Sequence, residues 1–230
     1  MKRSSVITGA LAAVCLLAGC SKKGAGQVSA KKGGNLNIFI WTEYVPDSVI
    51  QKFKDDTGIN ITVSTYSSNE DMLAKVKAEN EGAYDIVQPS DYMVQQMISQ
   101  GMLEKLDKAK LTNISNIASA YMNQTYDPGN VYSVPYLGGL AAIGVNTAKV
   151  KTDITGYADL FKPELAGTEV VLDDFRAVIG MTARSMGYSM NETDPAVLTR
   201  ISDKLQTLKP NIKLYDSDSP KTALISGDCT

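Results

Sequence analysis

The chain has 230 residues, 43% of them apolar and 21% charged, with 23 Lys and Arg against 25 Asp and Glu and no histidine. That composition supports a sizeable core and excludes intrinsic disorder and fibrous repeats, while the lack of histidine removes the usual general base, proton shuttle and zinc ligand together. Lys2, Arg3, Lys22, Lys23, Lys31 and Lys32 precede residue 35 without any acidic residue, leaving 17 basic and 25 acidic side chains beyond it; this balance speaks against a nucleic-acid partner and suits a cationic ligand, although solubility alone also selects acidity.

Met1-Lys2-Arg3 is a positive start, residues 6–18 are apolar or small over a length too short to span a bilayer, and Leu17-Ala18-Gly19-Cys20 closes the run. Residues 1–19 therefore resemble a bacterial lipoprotein signal peptide, and that resemblance implies cleavage before Cys20 and acylation of its thiol. A plain secretory peptide with a chance cysteine is the alternative, and either one exports the chain. Residues 20–34 are Gly-, Ser- and Lys-rich, as in a flexible tether whose lysines also suit an anionic membrane surface. Processing leaves Cys229 alone, so neither a disulfide nor a cysteine metal site is expected.

Residues 35–41 place Leu36, Ile38 and Ile40 on one face and Phe39 and Trp41 on the other, as in a strand buried on both sides. Residues 46–56 carry Val49, Ile50 and Phe53 at helical spacing and meet Gly58, a natural stop. A β-branched second strand follows at 59–66. Ser68-Asn69-Glu70-Asp71 resembles a capping box that opens a helix with Met72, Leu73 and Val76 inward, ending near Gly82. Residues 83–88 read as a third short strand, and Asp91 is the expected cap of a helix whose Met93, Val94, Met97 and Ile98 face the core. Repeated strand and helix units predict an α/β fold with a parallel sheet.

Residues 102–130 read as irregular, with a helix expected over 113–121 and a turn at Asp127-Pro128-Gly129. Two apolar runs flank Gly138-Gly139, and residues 138–147 are the expected passage between two lobes. A second alternating region has strands at 169–172 and 212–215, helices near 175–186 and 195–208, and a last helix from Pro220 capped by Asp218 or Ser219. No closing strand follows, so this second lobe reads as unfinished.

In open parallel sheets ligands bind beyond the carboxyl ends of the strands. Three segments stand there: Trp41-Thr42-Glu43-Tyr44, Ser90-Asp91-Tyr92 and Asp173-Asp174. Carboxylates beside aromatic faces suit an ammonium group, through charge-assisted hydrogen bonds and cation–π attraction, although each carboxylate also serves as a helix-terminus charge and Trp41 as a core aromatic. Residues 35–150 contain no arginine, which disfavours a carboxylate ligand there; Arg176 keeps that option open in the second lobe. No nucleophile elbow, phosphate loop or dinucleotide fingerprint is present.

Trp41-Thr42-Glu43-Tyr44, Ser64-Thr65-Tyr66, Ser68-Asn69-Glu70, Gly82-Ala83-Tyr84-Asp85-Ile86-Val87, Pro89-Ser90 with Tyr92, and Tyr132-Ser133 with Pro135-Tyr136 occur in one order. In these motifs the chain resembles the polyamine-binding proteins of ABC importers, receptors for spermidine and putrescine, from about Leu36 to its end. The resemblance implies a type II periplasmic-binding architecture with lobe 1 over 35–144 and a partial lobe 2 over 145–230, the second lobe and the return crossover being incomplete, as in a fragment of a longer reading frame. It implies a monomeric, non-enzymatic receptor without cofactor or metal, lipid-anchored on the outer face of the cytoplasmic membrane or in the periplasm, that hands a polyamine to an ABC permease. By position, Trp41, Tyr44 and Tyr92 would wall the methylene chain, with Glu43, Ser90 and Asp174 meeting ammonium or polar groups and Thr42 in the same loop. Ala177 stands where the family usually has a carboxylate and Gly138 where it often has tryptophan, which reduces the anchors. The competing functions are a receptor for another small solute, such as a metal chelate or a carboxylated amine, and a surface lipoprotein hydrolase.

Overall fold

The structure, a computed structural model, describes residues 33–230; the expected signal peptide, Cys15, Cys20 and nearly all of the tether lie outside the described residues. Strand β1 (Asn35–Trp41) is the centre of a three-stranded sheet, flanked by β2 (Asn60–Tyr66) and β3 (Ile86–Val87), with both pairings parallel. Its register with β2 runs from Asn35 opposite Asn60 to Trp41 opposite Tyr66, so both strands end at one edge with an aromatic ring. β3 is shorter than the expected 83–88. The Asp85 N–H still donates to the Asn37 carbonyl at 2.9 Å, but the Asn37 N–H goes to the Asp85 carboxylate at 2.7 Å, so a side chain takes the next bond of the ladder where the strand was expected to continue.

Helix α1 (Asp47–Thr57) stops at Gly58, whose φ of 72° is a left-handed conformation open to glycine. Its apolar stripe remains open, with Val49 and Phe53 both exposed. α2 (Asn69–Ala78) begins as expected, the Ser68 hydroxyl accepting the Asp71 N–H at 3.1 Å. α3 (Asp91–Ser99) departs from expectation. Its N-cap is Ser90, and the Asp91 carboxylate accepts the adjacent Tyr92 N–H instead. The core between these helices and the sheet contains Phe39, Tyr66, Met72, Leu73, Met93 and Met97, so the methionine stripe is packing, as read.

No helix spans 113–121. Three 3-10 turns, Lys108–Lys110, Ile114–Asn116 and Ser119–Tyr121, stand in this region, because Asn113, Ser115 and Asn116 are poor interior helix formers whose side chains compete for backbone groups. The turn at Asp127 is built round a buried carboxylate that accepts the N–H groups of Val131, Tyr132 and Ser133 at 2.7 to 3.0 Å and the Ser133 hydroxyl at 2.8 Å. Burial alone would raise its pKa, but these donors outweigh burial and hold it below the ordinary carboxylate value. Residues 134–146 form neither helix nor strand.

A second parallel sheet pairs β4 (Glu169–Val171) with β5 (Ile212–Tyr215). α4 (Phe175–Ser185) and α5 (Pro195–Gln206) pack together through Ala183, Val197 and Ile201, and α6 (Pro220–Ser226) follows β5 with Ser219 as its N-cap. Cys229 is a buried free thiol. The α/β class of parallel strands with intervening helices is therefore the architecture observed.

Glu169, first residue of β4, is buried with both carboxylate oxygens lacking a hydrogen-bond partner. Burial pushes its carboxyl up from 4.5 to about 7. The folded chain thus holds a proton that the unfolded chain releases, so this group's stabilisation is full below about pH 4.5 and is lost as pH rises to about 7. Urea unfolding midpoints measured across that range should decline with pH, and Glu169→Gln should flatten the decline; an unchanged slope in the variant would contradict the assignment.

Candidate functional site

The carboxyl edge of the first sheet is set by the β1 and β2 register. Trp41 and Tyr66 are neighbours there, with ring centroids 4.8 Å apart, and Tyr44 brings a third ring to 6.2 Å from Trp41. Trp41 is half-buried, lying against the rim of the core with part of its indole open to solvent. The Thr42 N–H and hydroxyl both point at the Tyr66 carbonyl, at 3.3 and 3.4 Å, which ties the loop to β2 and gives Thr42 a positioning contact.

Glu43 has φ 62°, an uncommon left-handed conformation for a residue with a side chain. Its carboxylate is exposed and meets the Lys221 ammonium, in the first turn of α6, at 2.5 Å. Across the same rim the Tyr136 hydroxyl donates to the Tyr44 carbonyl at 2.7 Å, which fastens part of the irregular segment to the Glu43 loop.

Asn69 braces the second loop. Fully buried, it accepts the Ser90 N–H at 3.1 Å, and its amide donates to the Ser90 hydroxyl at 3.1 Å and to the Tyr92 hydroxyl at 3.0 Å. Tyr92 in turn donates to the Glu70 carboxylate at 3.0 Å. Burial raises the Tyr92 pKa well above the ordinary phenol value; the Asn69 amide opposes this, and Glu70 and Asp174 add to it. Burial raises Tyr66 too, and its hydroxyl donates to the Gln88 carbonyl. Both phenols are therefore neutral donors at physiological pH.

Asp174 is the N-cap of α4, accepting the Ala177 N–H at 3.0 Å, and its charge is felt at Tyr92. Beside it the Arg176 guanidinium lies 5.3 Å from the Tyr92 ring centroid and donates to the Asn191 amide oxygen at 2.6 Å. Trp41 and Tyr44 thus form one aromatic pair with Glu43 on the segment between them, Ser90 and Tyr92 form a second cluster through Asn69, and the charge of Asp174, at the start of α4, reaches Tyr92. Sequence reasoning assigned no role to Asn69 or Glu70, because the capping pattern explained Ser68 to Asp71 without them; Lys221 carried no signal. Gln88 was also missed, although its side-chain oxygen is buried without a partner. Among the described residues no group of three or more Cys, Asp or Glu could hold a metal ion.

The profile of the bacterial extracellular solute-binding protein family matches residues 48–229. A spermidine/putrescine-binding periplasmic protein of Escherichia coli is 42% identical over 214 residues, covering 93% of this chain and 62% of that protein. Among solved structures, the TpPotD lipoprotein of Treponema pallidum aligns with a TM-score of 0.77 at 34% identity, covering 85% of this chain and 61% of that one. The spermidine/putrescine ABC transporter substrate-binding protein PotD of Streptococcus pneumoniae aligns with a TM-score of 0.62 at 33% identity, covering 85% and 60%. The chain spans about three fifths of the length of these proteins.

The left-handed backbone at Glu43 yields a test that is independent of any ligand. Glu43→Gly and Glu43→Ala both delete the carboxylate, yet only glycine relieves the backbone, so the glycine variant should be more stable than the alanine variant by about 1 kcal/mol in urea unfolding. Equal stabilities would show that position 43 bears no such strain.

Proposed function

We propose a polyamine, spermidine or putrescine, as the ligand of this chain, which belongs to the bacterial extracellular solute-binding protein family. The observation that carries the reading is the Glu43 carboxylate, which already pairs with a primary alkylammonium, that of Lys221, on the segment whose Trp41 and Tyr44 rings lie 6.2 Å apart. A protonated polyamine offers the same ammonium on a flexible methylene chain. In this reading Trp41, Tyr44 and Tyr92 wall the chain, Glu43, Ser90 and the free oxygen of Asp174 receive ammonium N–H groups, and Thr42 holds the loop in place. The spermidine/putrescine-binding relatives support the same ligand class.

Residues 35–144 and 145–230 act in this proposal as two lobes that close on the ligand, a shift between open and closed populations. The receptor performs no chemistry. It acts as a monomer, is exported, is anchored through an acylated Cys20, and delivers its ligand to an ABC permease. One observation favours a second reading: Arg176 and Lys221 at the same rim would suit the carboxylate of a carboxylated amine.

Trp41 is the only tryptophan of the chain, so its fluorescence reports on the rim directly. Titration with spermidine or putrescine should change it saturably, an amino acid such as glutamate should not, and Glu43→Gln should weaken the polyamine by roughly tenfold or more. A response to the amino acid alone rejects the cationic ligand. Labelling cells with radioactive palmitate should mark the wild-type protein and not Cys20→Ala; equal labelling would reject the anchor.

A further inference from the structure

Lys221 is not placed by chance of local sequence: its partner Glu43 lies 178 residues away. α6 is fixed at its far end, where the Lys149 ammonium donates to the Gly227 carbonyl, the Cys229 N–H donates to the Ala223 carbonyl and the Thr230 N–H donates to the Thr168 carbonyl at the edge of β4. Its first turn thereby carries a four-carbon alkylammonium to the Glu43 carboxylate, on the same segment as Trp41 and Tyr44. The same half of the chain also sends Arg176 onto the Tyr92 face. The carboxylate of the first segment and the aromatic ring of the second thus each already meet a cation of the protein itself.

Resting on the polyamine reading, we propose that Lys221 is an internal competitor for the ligand, occupying the Glu43 carboxylate with its own ammonium until a polyamine ammonium takes its place. Binding is then an exchange of one ammonium for another. The carboxylate is paired in both states, so the net gain comes from what Lys221 cannot supply, the second ammonium and the methylene chain against the rings. A monoamine gains little from this exchange, while a diamine gains at its second end. Lys221 therefore sets a threshold of ligand charge. Both partners of the ion pair are exposed, and pairs of this kind are weak, so the threshold is modest and reversible.

The test is calorimetric titration of the protein with putrescine and with propylamine, comparing wild type, Lys221→Ala, Glu43→Gln and the double variant. Lys110→Ala serves as the charge control, because Lys110 pairs with Asp107 on a different segment. Lys221→Ala should bind putrescine about two- to fivefold more tightly than wild type, beyond any change in Lys110→Ala, and should narrow the preference for putrescine over propylamine. The gain should vanish in the Glu43→Gln background, since the competition acts through that carboxylate. If wild type binds putrescine and Lys221→Ala binds no tighter than the Lys110 control, the competitor role is overturned while the polyamine reading stands. A gain that persists undiminished without Glu43 overturns it too. A loss of affinity in Lys221→Ala also overturns it, because Lys221 would then support the bound state and not oppose it, and putrescine binding in none of the variants overturns it together with the reading on which it rests.

Discussion

The parallel register of β1 and β2 is the constraint from which the rest of the site follows. Pairing Asn35 with Asn60 obliges Trp41 and Tyr66 to finish side by side, and the Thr42 bonds to the Tyr66 carbonyl hold the start of the following loop at that edge. A slip of one residue would send Phe39 to the opposite face and dissolve the aromatic core it forms with Tyr66 and Tyr84, whose rings lie 5.0 and 4.6 Å from its own. Core and rim are thus specified by one hydrogen-bond ladder.

Polar contacts then convert that edge into a shaped surface. Asn69 joins the first turn of α2 to the start of α3, and with its carbonyl and amide both used it leaves Ser90 and Tyr92 little freedom. Thr42 performs the equivalent task for the first loop by holding to the Tyr66 carbonyl. Preorganisation of this kind lowers the ordering cost of binding a flexible guest. The charge arrangement has a matching logic, with Glu43, Glu70 and Asp174 around the rings and Lys221 and Arg176 approaching from the second sheet.

Local patterns were legible in the sequence and long-range pairings were not. The bounds of β1 and β5, the glycine stop of α1 and the buried methionine stripe of α3 follow from periodicity and from residues adjacent in the chain. β3 read too long because the Asn37 N–H bonds to the Asp85 carboxylate and not to a backbone carbonyl, and residues 113–121 are not helical because Asn113, Ser115 and Asn116 lack the propensity. The rim residues Trp41, Glu43, Tyr44, Ser90 and Tyr92 were identifiable from strand ends and motif order. Asn69, which braces Ser90 and Tyr92, and Lys221, which pairs with Glu43, were hidden because a buried amide or a distant lysine has no local signature.

The central claim is that the first sheet's carboxyl edge receives a cationic, flexible chain, and the most direct measurement is nuclear Overhauser contact between carbon-13-labelled putrescine and the aromatic rings of the protein. The account predicts cross-peaks from the ligand methylenes to the Trp41 indole and to the Tyr44 and Tyr92 rings. Bound putrescine with contacts only to other aromatic residues, and none to Trp41, would contradict it.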